Sequence, residues 1–311
     1  MRVLVTGGTG YLGRAIVRAL ATAGHDLVIF ARSASRSGLP GTLVDGDVRD
    51  ATALSDAAAG CDAISHSAAL VSIWRRRSQD FDDVNVGGLR NVIAAAKQHR
   101  IGRIVYTSSF LALPPRDRET PILANDYQRT KVLADRAADE AVRDGAPLVR
   151  VYPGVVYGPG SFTEGNLIGR LIADHLKGRL PGLVGPEHPW SYAFVDDVAN
   201  GQRAALERGV TGGRYMLGGE NAPQSRVFEI VRTLTGRRPP LRIPFPVADA
   251  LGVAEELRVR LFGGLPLITR GAVEIFRHDW SLDSGVAVRD LGYTMTPLAD
   301  GVRATIDSIP R

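Results

Sequence analysis

Tyr127 and Lys131, four residues apart, are the side chains whose types and spacing best suit proton transfer. On a helix, positions i and i+4 share one face. A phenol has a free pKa of about 10 and needs help to exchange protons at neutral pH. An ammonium one turn away favours the phenolate and should lower that pKa. The chain has only three lysines, Lys97, Lys131 and Lys177, so one falling here carries weight. Such a lysine can also hydrogen-bond the ribose of a nicotinamide cofactor. Upstream, Thr107-Ser108-Ser109 closes an apolar run, and α/β sheets bind ligands at the carboxyl ends of strands. A hydroxyl there can hold a carbonyl or alkoxide oxygen; turn and cap chemistry is the plainer alternative.

A second motif points to the cofactor. Thr6-Gly7-Gly8-Thr9-Gly10-Tyr11-Leu12-Gly13 places glycines at 7, 10 and 13, between an apolar run and an amphipathic one. Gly7 permits a tight turn, Gly10 lets a pyrophosphate approach the backbone, and Gly13 allows close packing of helix on sheet. The helix start offers unpaired N–H groups and a partial positive charge to phosphates. NAD sites usually carry an acid at the end of the second strand. Here that strand ends Phe30-Ala31-Arg32-Ser33, with Arg36 soon after. Arg32 can stack on the adenine and, with Ser33 or Arg36, hold a 2′-phosphate. NADP is therefore expected over NAD. Asp47 and Val48, after the third strand, are placed to bracket the adenine, unless Asp47 merely caps the helix that follows.

These residues need a framework to position them. Apolar runs at 3–5, 27–30, 43–44, 63–64, 103–106 and 148–152 read as buried strands. Helical spacing over 11–23, 52–59, 84–98 and 125–143 separates them. The alternation predicts βαβ units and a Rossmann-type, doubly wound parallel sheet covered on both faces. After 157–160 the pattern becomes less regular, with frequent Pro and Gly. We expect a dinucleotide-binding domain over 1–160, to which the chain returns near 192–217. A smaller substrate-binding region comprises 161–191 and 218–311.

Composition narrows the classes further. With 311 residues, 44% hydrophobic and 23% charged, the chain is of ordinary globular type. Its net charge of +5 comes from scattered arginines, with one cluster at Arg75, Arg76 and Arg77. That distribution does not suggest a nucleic acid partner. The single cysteine, Cys61, excludes an internal disulfide and fits a reducing compartment. The histidines lack metal-ligand spacing. A strand pattern beginning at residue 2 argues against a signal peptide. No apolar stretch approaches the roughly 20 residues of a membrane span. A cytoplasmic protein with no membrane partner is expected.

The order of motifs resembles the extended short-chain dehydrogenase/reductases, the NAD-dependent epimerase/dehydratase family. The resemblance runs through TGGTGYLG (6–13), DGDVRD (45–50), HSAAL (66–70), VNVGGLRNV (84–92), VYTSSF (105–110), YQRTK (127–131), YPGVVYGPG (152–160) and FVDDVANG (194–201). Within it the chain is similar to the dihydroflavonol-reductase-like branch. TSSFLAL, GRLPG (178–182) and GGENAP (218–223) bring it near plant farnesol-dehydrogenase-like proteins. The resemblance implies that Tyr127 is the general acid/base and Lys131 its ribose-binding partner. Ser109 would be the active serine, with Ser108 the alternative alignment. Ala68, Ala69 and Asn85 would line the cofactor cleft, as would the backbone from Pro153 to Val156. It also implies a homodimer formed by pairing helices 84–98 and 125–143 across a two-fold axis. Sugar-nucleotide epimerases of the family carry a phosphate-clamping arginine where this chain has Trp190. An indole cannot pair a diphosphate. Val71, Trp74, Phe110, Leu111, Tyr157, Phe162 and Trp190 are the candidate lining of an apolar substrate pocket. The expected activity is interconversion of an apolar or aromatic alcohol and its carbonyl. The alternatives are a sugar-nucleotide epimerase/dehydratase with tightly held NAD and a non-catalytic NADP-binding regulator.

Overall fold

Val3 and Val5 point to one side of the first strand and Leu4 to the other, and all three are fully buried. This is the two-residue period of a strand covered on both faces. The computed structural model describes residues 1–310. Its strands are β1 (Arg2–Thr6), β2 (Asp26–Ala31), β3 (Thr42–Asp45), β4 (Ala63–His66), β5 (Arg103–Thr107), β6 (Leu148–Pro153), β7 (Val155–Tyr157), β8 (Leu183–Val184), β9 (Pro189–Phe194), β10 (Arg214–Leu217), β11 (Glu220–Pro223) and β12 (Arg242–Ile243).

Seven strands form one parallel sheet in the order β10-β6-β5-β4-β1-β2-β3. This is the expected Rossmann-type α/β fold. The order reverses between β1 and β4, and the carboxyl ends of strands at such a switch point form the ligand crevice. Thr6 ends β1 and His66 ends β4, side by side in register. Two core clusters lie on opposite faces of the sheet. One packs beneath the helices Tyr11–Thr22 and Val195–Arg208, the other beneath Ala51–Ala58, Gly88–Gln98 and Asp126–Arg143.

Two expectations are refined. The chain does return to the main sheet, through the helix Val195–Arg208 and strand β10, but β9 pairs instead with β7 and β11 in a second sheet. The expected helix over 84–98 is not uniform: Asp82–Gly87 forms a wider π-type turn before the α-helix Gly88–Gln98. Such turns often occur at functional sites. This one carries Asn85. A third apolar cluster joins the second sheet to the C-terminal helices and contains Phe110, Tyr157, Trp190, Tyr192 and Trp280.

Candidate active site

The turn after β1 leaves no room for side chains. Gly7 has φ +74°, and a Cβ there would lie 2.6 Å from the Ala68 nitrogen. At Gly13 a Cβ would lie 2.0 Å from the Gly7 carbonyl oxygen. The helix Tyr11–Thr22 starts at Gly10 with no side-chain cap and no acid in its first turn. Its leading N–H groups therefore keep the donors and partial positive charge that a pyrophosphate needs. Thr9 and Gly10 form the lip of this turn, while Tyr11 and Leu12 pack their side chains toward the first core cluster. A nicotinamide dinucleotide fits this cradle of bare backbone.

At the end of β2, Arg32, Ser33 and Arg36 are exposed, and Arg36 Nη2 reaches the Ser33 hydroxyl at 3.5 Å. Among the described residues Arg32 makes no salt bridge. Asp47 does not cap the helix that follows. Its carboxylate accepts from the Arg49 backbone at 3.0 Å and from the Arg49 guanidinium at 3.0 and 2.8 Å. The two-residue spacing lets Arg49 fold back on it, and this holds the carboxyl below its usual range. The helix cap is Asp50, which accepts from the Ala53 N–H at 3.0 Å. Val48 is buried against Gly88.

Ala68 and Ala69 lie in the loop after β4. Asn85 fastens this loop, accepting from the Leu70 N–H at 2.8 Å and donating to the Thr130 hydroxyl at 2.9 Å. Its amide thus ties the loop to the helix Asp126–Arg143. Pro153 ends β6, buried, and Val156 is half-buried in the short strand beside it.

The helix Asp126–Arg143 carries Tyr127 and Lys131. Asn125 caps it, accepting from the Gln128 N–H at 2.8 Å. Lys131 is buried, and its ammonium donates to the Thr107 carbonyl at 3.1 Å. It lies 5.3 Å from the centroid of the Tyr106 ring and 6.0 Å from that of Tyr127. Burial lowers the Lys131 pKa to about 8, and the Asp135 carboxylate one turn further along opposes the fall. Tyr127 is a correction to expectation. Burial pushes its pKa up to about 12, with the Ser109 hydroxyl favouring the phenolate and pulling the other way. Desolvation outweighs the Ser109 hydroxyl, and the ammonium is held at Thr107 instead of at the phenol.

The two serines diverge. Ser108 Oγ donates to Asp135 at 3.4 Å, deep behind the helix. Ser109 starts the turn Phe110–Ala112, accepting from the Leu111 N–H at 3.2 Å, on the side where it meets Tyr127.

Of the proposed pocket residues, Phe110, Leu111, Tyr157 and Trp190 come together in the third apolar cluster, against which Tyr127 packs. Val71, Trp74 and Phe162 lie outside it. Tyr157 is fully buried between Tyr192 and Phe194, a core position. Trp190 stacks on Phe276 at 5.1 Å, and Phe110 sits edge-on to Trp280 at 5.4 Å. Asn166, buried, is occupied as the cap of Leu167–Leu176, bonding Gly169 N and the Gly158 carbonyl at 3.1 and 3.0 Å.

The sequence reading missed several residues. His66 is fully buried and accepts or donates at Thr6 Oγ1 over 2.7 Å, and burial drops its pKa to about 3, so the ring is neutral. Asp135 accepts from the Tyr152 hydroxyl at 2.7 Å and from Arg214 at 3.3 Å, beside the buried Arg150. Its position four residues beyond Lys131 was a usable signal. Phe276 and Trp280 gave none, because only folding brings them to Trp190. Among the described residues no group of His, Cys, Asp and Glu could hold a metal.

Comparison with known proteins agrees with the fold. The profile of the "NAD dependent epimerase/dehydratase family" matches residues 3–218. The chain is 32% identical to sterol demethylase protein B of Methylococcus capsulatus, covering 95% of this chain and 94% of that protein. It is 30% identical to a protein provisionally named dihydroflavonol 4-reductase from Synechocystis sp., covering 96% and 92%. Among solved structures, gox2253 superposes with a TM-score of 0.83 at 30% identity, covering 98% of this chain and 97% of that one.

Proposed function

This chain belongs to the NAD dependent epimerase/dehydratase family, and we propose that it interconverts an apolar or aromatic alcohol and its carbonyl, with Tyr127 as the acid/base. The carrying observation is the setting of that phenol. Tyr127 stands beside Ser109, one turn from Lys131, and packs on an aromatic cluster where Trp190 stacks on Phe276.

When bound, a nicotinamide dinucleotide would supply or take up the hydride. The glycine turn would hold its pyrophosphate, and Lys131 its ribose. Ser109 Oγ fixes the substrate oxygen. Tyr127 gives that oxygen a proton during reduction and accepts one during oxidation. The phenol is protonated at neutral pH, as proton donation in carbonyl reduction requires. We assign NADP as the preferred dinucleotide because Arg32 is free at the end of β2, where NAD sites carry an acid.

The sugar-nucleotide reading is disfavoured because a diphosphate beside Trp190 would lie unpaired against apolar walls, which is costly. The regulator reading leaves the buried Lys131 and its supporting groups without a purpose. The sterol and flavonol names of the relatives fit a hydrophobic substrate. The narrower likeness to plant farnesol-dehydrogenase-like proteins rests on three short segments, and a terpenoid alcohol belongs in the first screen. A homodimer through the helices Gly88–Gln98 and Asp126–Arg143 remains our expectation, and light scattering at micromolar concentration tests it.

The deciding experiment is a direct comparison. Long-chain, terpenoid or aryl alcohols should reduce NAD(P)+, and the matching carbonyls should oxidise NAD(P)H. UDP-glucose and UDP-galactose should neither turn over nor inhibit at millimolar concentration. Tight UDP-sugar binding would overturn the proposal.

A further inference from the structure

The helix Phe245–Phe262 turns an apolar face outward. Val253, Leu257, Leu261 and Phe262 are exposed on it, and Leu265 and Leu267 extend the patch through the next loop. Phe262 and Leu267 are 83% and 85% exposed. The loop is held in place: the Leu267 N–H donates to Glu255 at 2.8 Å, and Arg258 donates to the Leu265 carbonyl at 2.9 Å. The apolar side chains are therefore presented by a fixed frame.

The charges are arranged around that face. All three carboxylates of the helix are engaged internally: Asp249 with Arg277, Glu255 with Arg258, and Glu256 with Arg270. Arg260, exposed on the same helix, makes no salt bridge among the described residues. The outward surface thus combines apolar side chains with an uncompensated cation. Contiguous exposed apolar side chains of this kind mark binding surfaces. An apolar face flanked by arginine, with its acids neutralised, is complementary to an anionic lipid interface.

We infer that the helix Phe245–Phe262 and the loop after it form a peripheral docking surface for an anionic phospholipid bilayer. The expectation of no membrane partner rested on the lack of a spanning segment. No helix is long and apolar enough to cross a membrane, but a helix lying in the interface need not be. The same helix packs on Arg270–Phe276, whose Phe276 stacks on Trp190. The docking face therefore lies one layer from the apolar cluster beside Tyr127.

Co-sedimentation of the full chain with vesicles tests this. Wild type should pellet with phosphatidylcholine vesicles containing phosphatidylglycerol and at least tenfold less with phosphatidylcholine alone. The double variant Leu261→Glu/Phe262→Glu should lose at least tenfold of the first signal while keeping its melting temperature. The milder Arg260→Gln should weaken it in the same direction. Failure of wild type to pellet, or equal pelleting of the double variant, overturns the inference. So does a lower solution mass for that variant, which would make the face a contact between copies of the chain. No turnover is measured, so failure here leaves the oxidoreductase reading standing.

Discussion

The Lys131 ammonium lies 3.1 Å from the Thr107 carbonyl oxygen, so the lysine ties its helix to the carboxyl end of β5. Tyr127, one turn earlier on the same face, is thereby fixed beside Ser109. If the phenol carries the proton, Tyr127→Phe should lower turnover by about 100-fold or more, the usual contribution of a positioned acid/base. Dinucleotide affinity, read by fluorescence titration, should change by no more than about twofold, because the lost hydroxyl serves the substrate oxygen. A variant retaining a tenth of the wild-type rate would remove Tyr127 from this role.

The serines should separate in the same assay. Ser109→Ala takes away a donor to the substrate oxygen, so kcat should fall by about 10- to 1,000-fold. Ser108→Ala removes only a bond to Asp135 of 3.4 Å, and should change kcat by less than about threefold. Its effect belongs in thermal stability, at about 1 kcal/mol. The reverse ranking would mean that Ser108 is the active hydroxyl.

The buried lysine sets a pH limit. Its pKa is about 8, so the ammonium is present below that pH and is lost as pH rises through it. The rate of carbonyl reduction should accordingly hold through neutral pH and decline above about 8. The stability sign is separate. Between about 8 and the unfolded value near 10.4, the unfolded chain binds more protons, so this group makes stability rise with pH. Asp135 favours the ammonium, so Asp135→Asn should move the falling limb to lower pH. It should also cost about 1–3 kcal/mol in stability, because the amide keeps one oxygen for Tyr152 but turns an N–H2 group toward Arg214. A pH profile that stays in place while the melting temperature falls would leave Asp135 a purely structural part.

The contrast between β1 and the third apolar cluster shows what a sequence can disclose. Val3, Leu4 and Val5 are flanked by a turn motif, and burial on both faces of a parallel strand follows from the run itself. Gly13 is likewise local, since a Cβ there would meet the Gly7 carbonyl, whereas Gly7 is crowded by Ala68 of the loop after β4 and is legible only through its motif. Trp190 meets Phe276 only because β9 leaves the main sheet and the C-terminal helices fold over it. The direction of the Tyr127 shift was misjudged for the same reason. The i+4 spacing displays the ammonium but neither the burial of the phenol nor the Thr107 carbonyl that holds the ammonium. Asp135 was within reach, being a further turn along the same face.

Arg32 offers the last test, on the choice of dinucleotide. It is exposed at the end of β2, and the nearby Asp47 is held by Arg49, with Arg32 a weaker influence on its carboxyl. An unpaired guanidinium can take a 2′-phosphate in a charge-assisted, bidentate contact, which a ribose hydroxyl cannot match. Such hydrogen bonds to charged groups contribute about 1.5–3 kcal/mol, or roughly 10- to 150-fold in affinity. Arg32→Ala should therefore weaken NADPH by about that factor and NADH by no more than about threefold. Arg36→Ala should act in the same direction more weakly, since Arg36 reaches only Ser33, at 3.5 Å. Equal losses for the two dinucleotides would mean that Arg32 only stacks on the adenine, and the assignment of NADP would then have to be withdrawn.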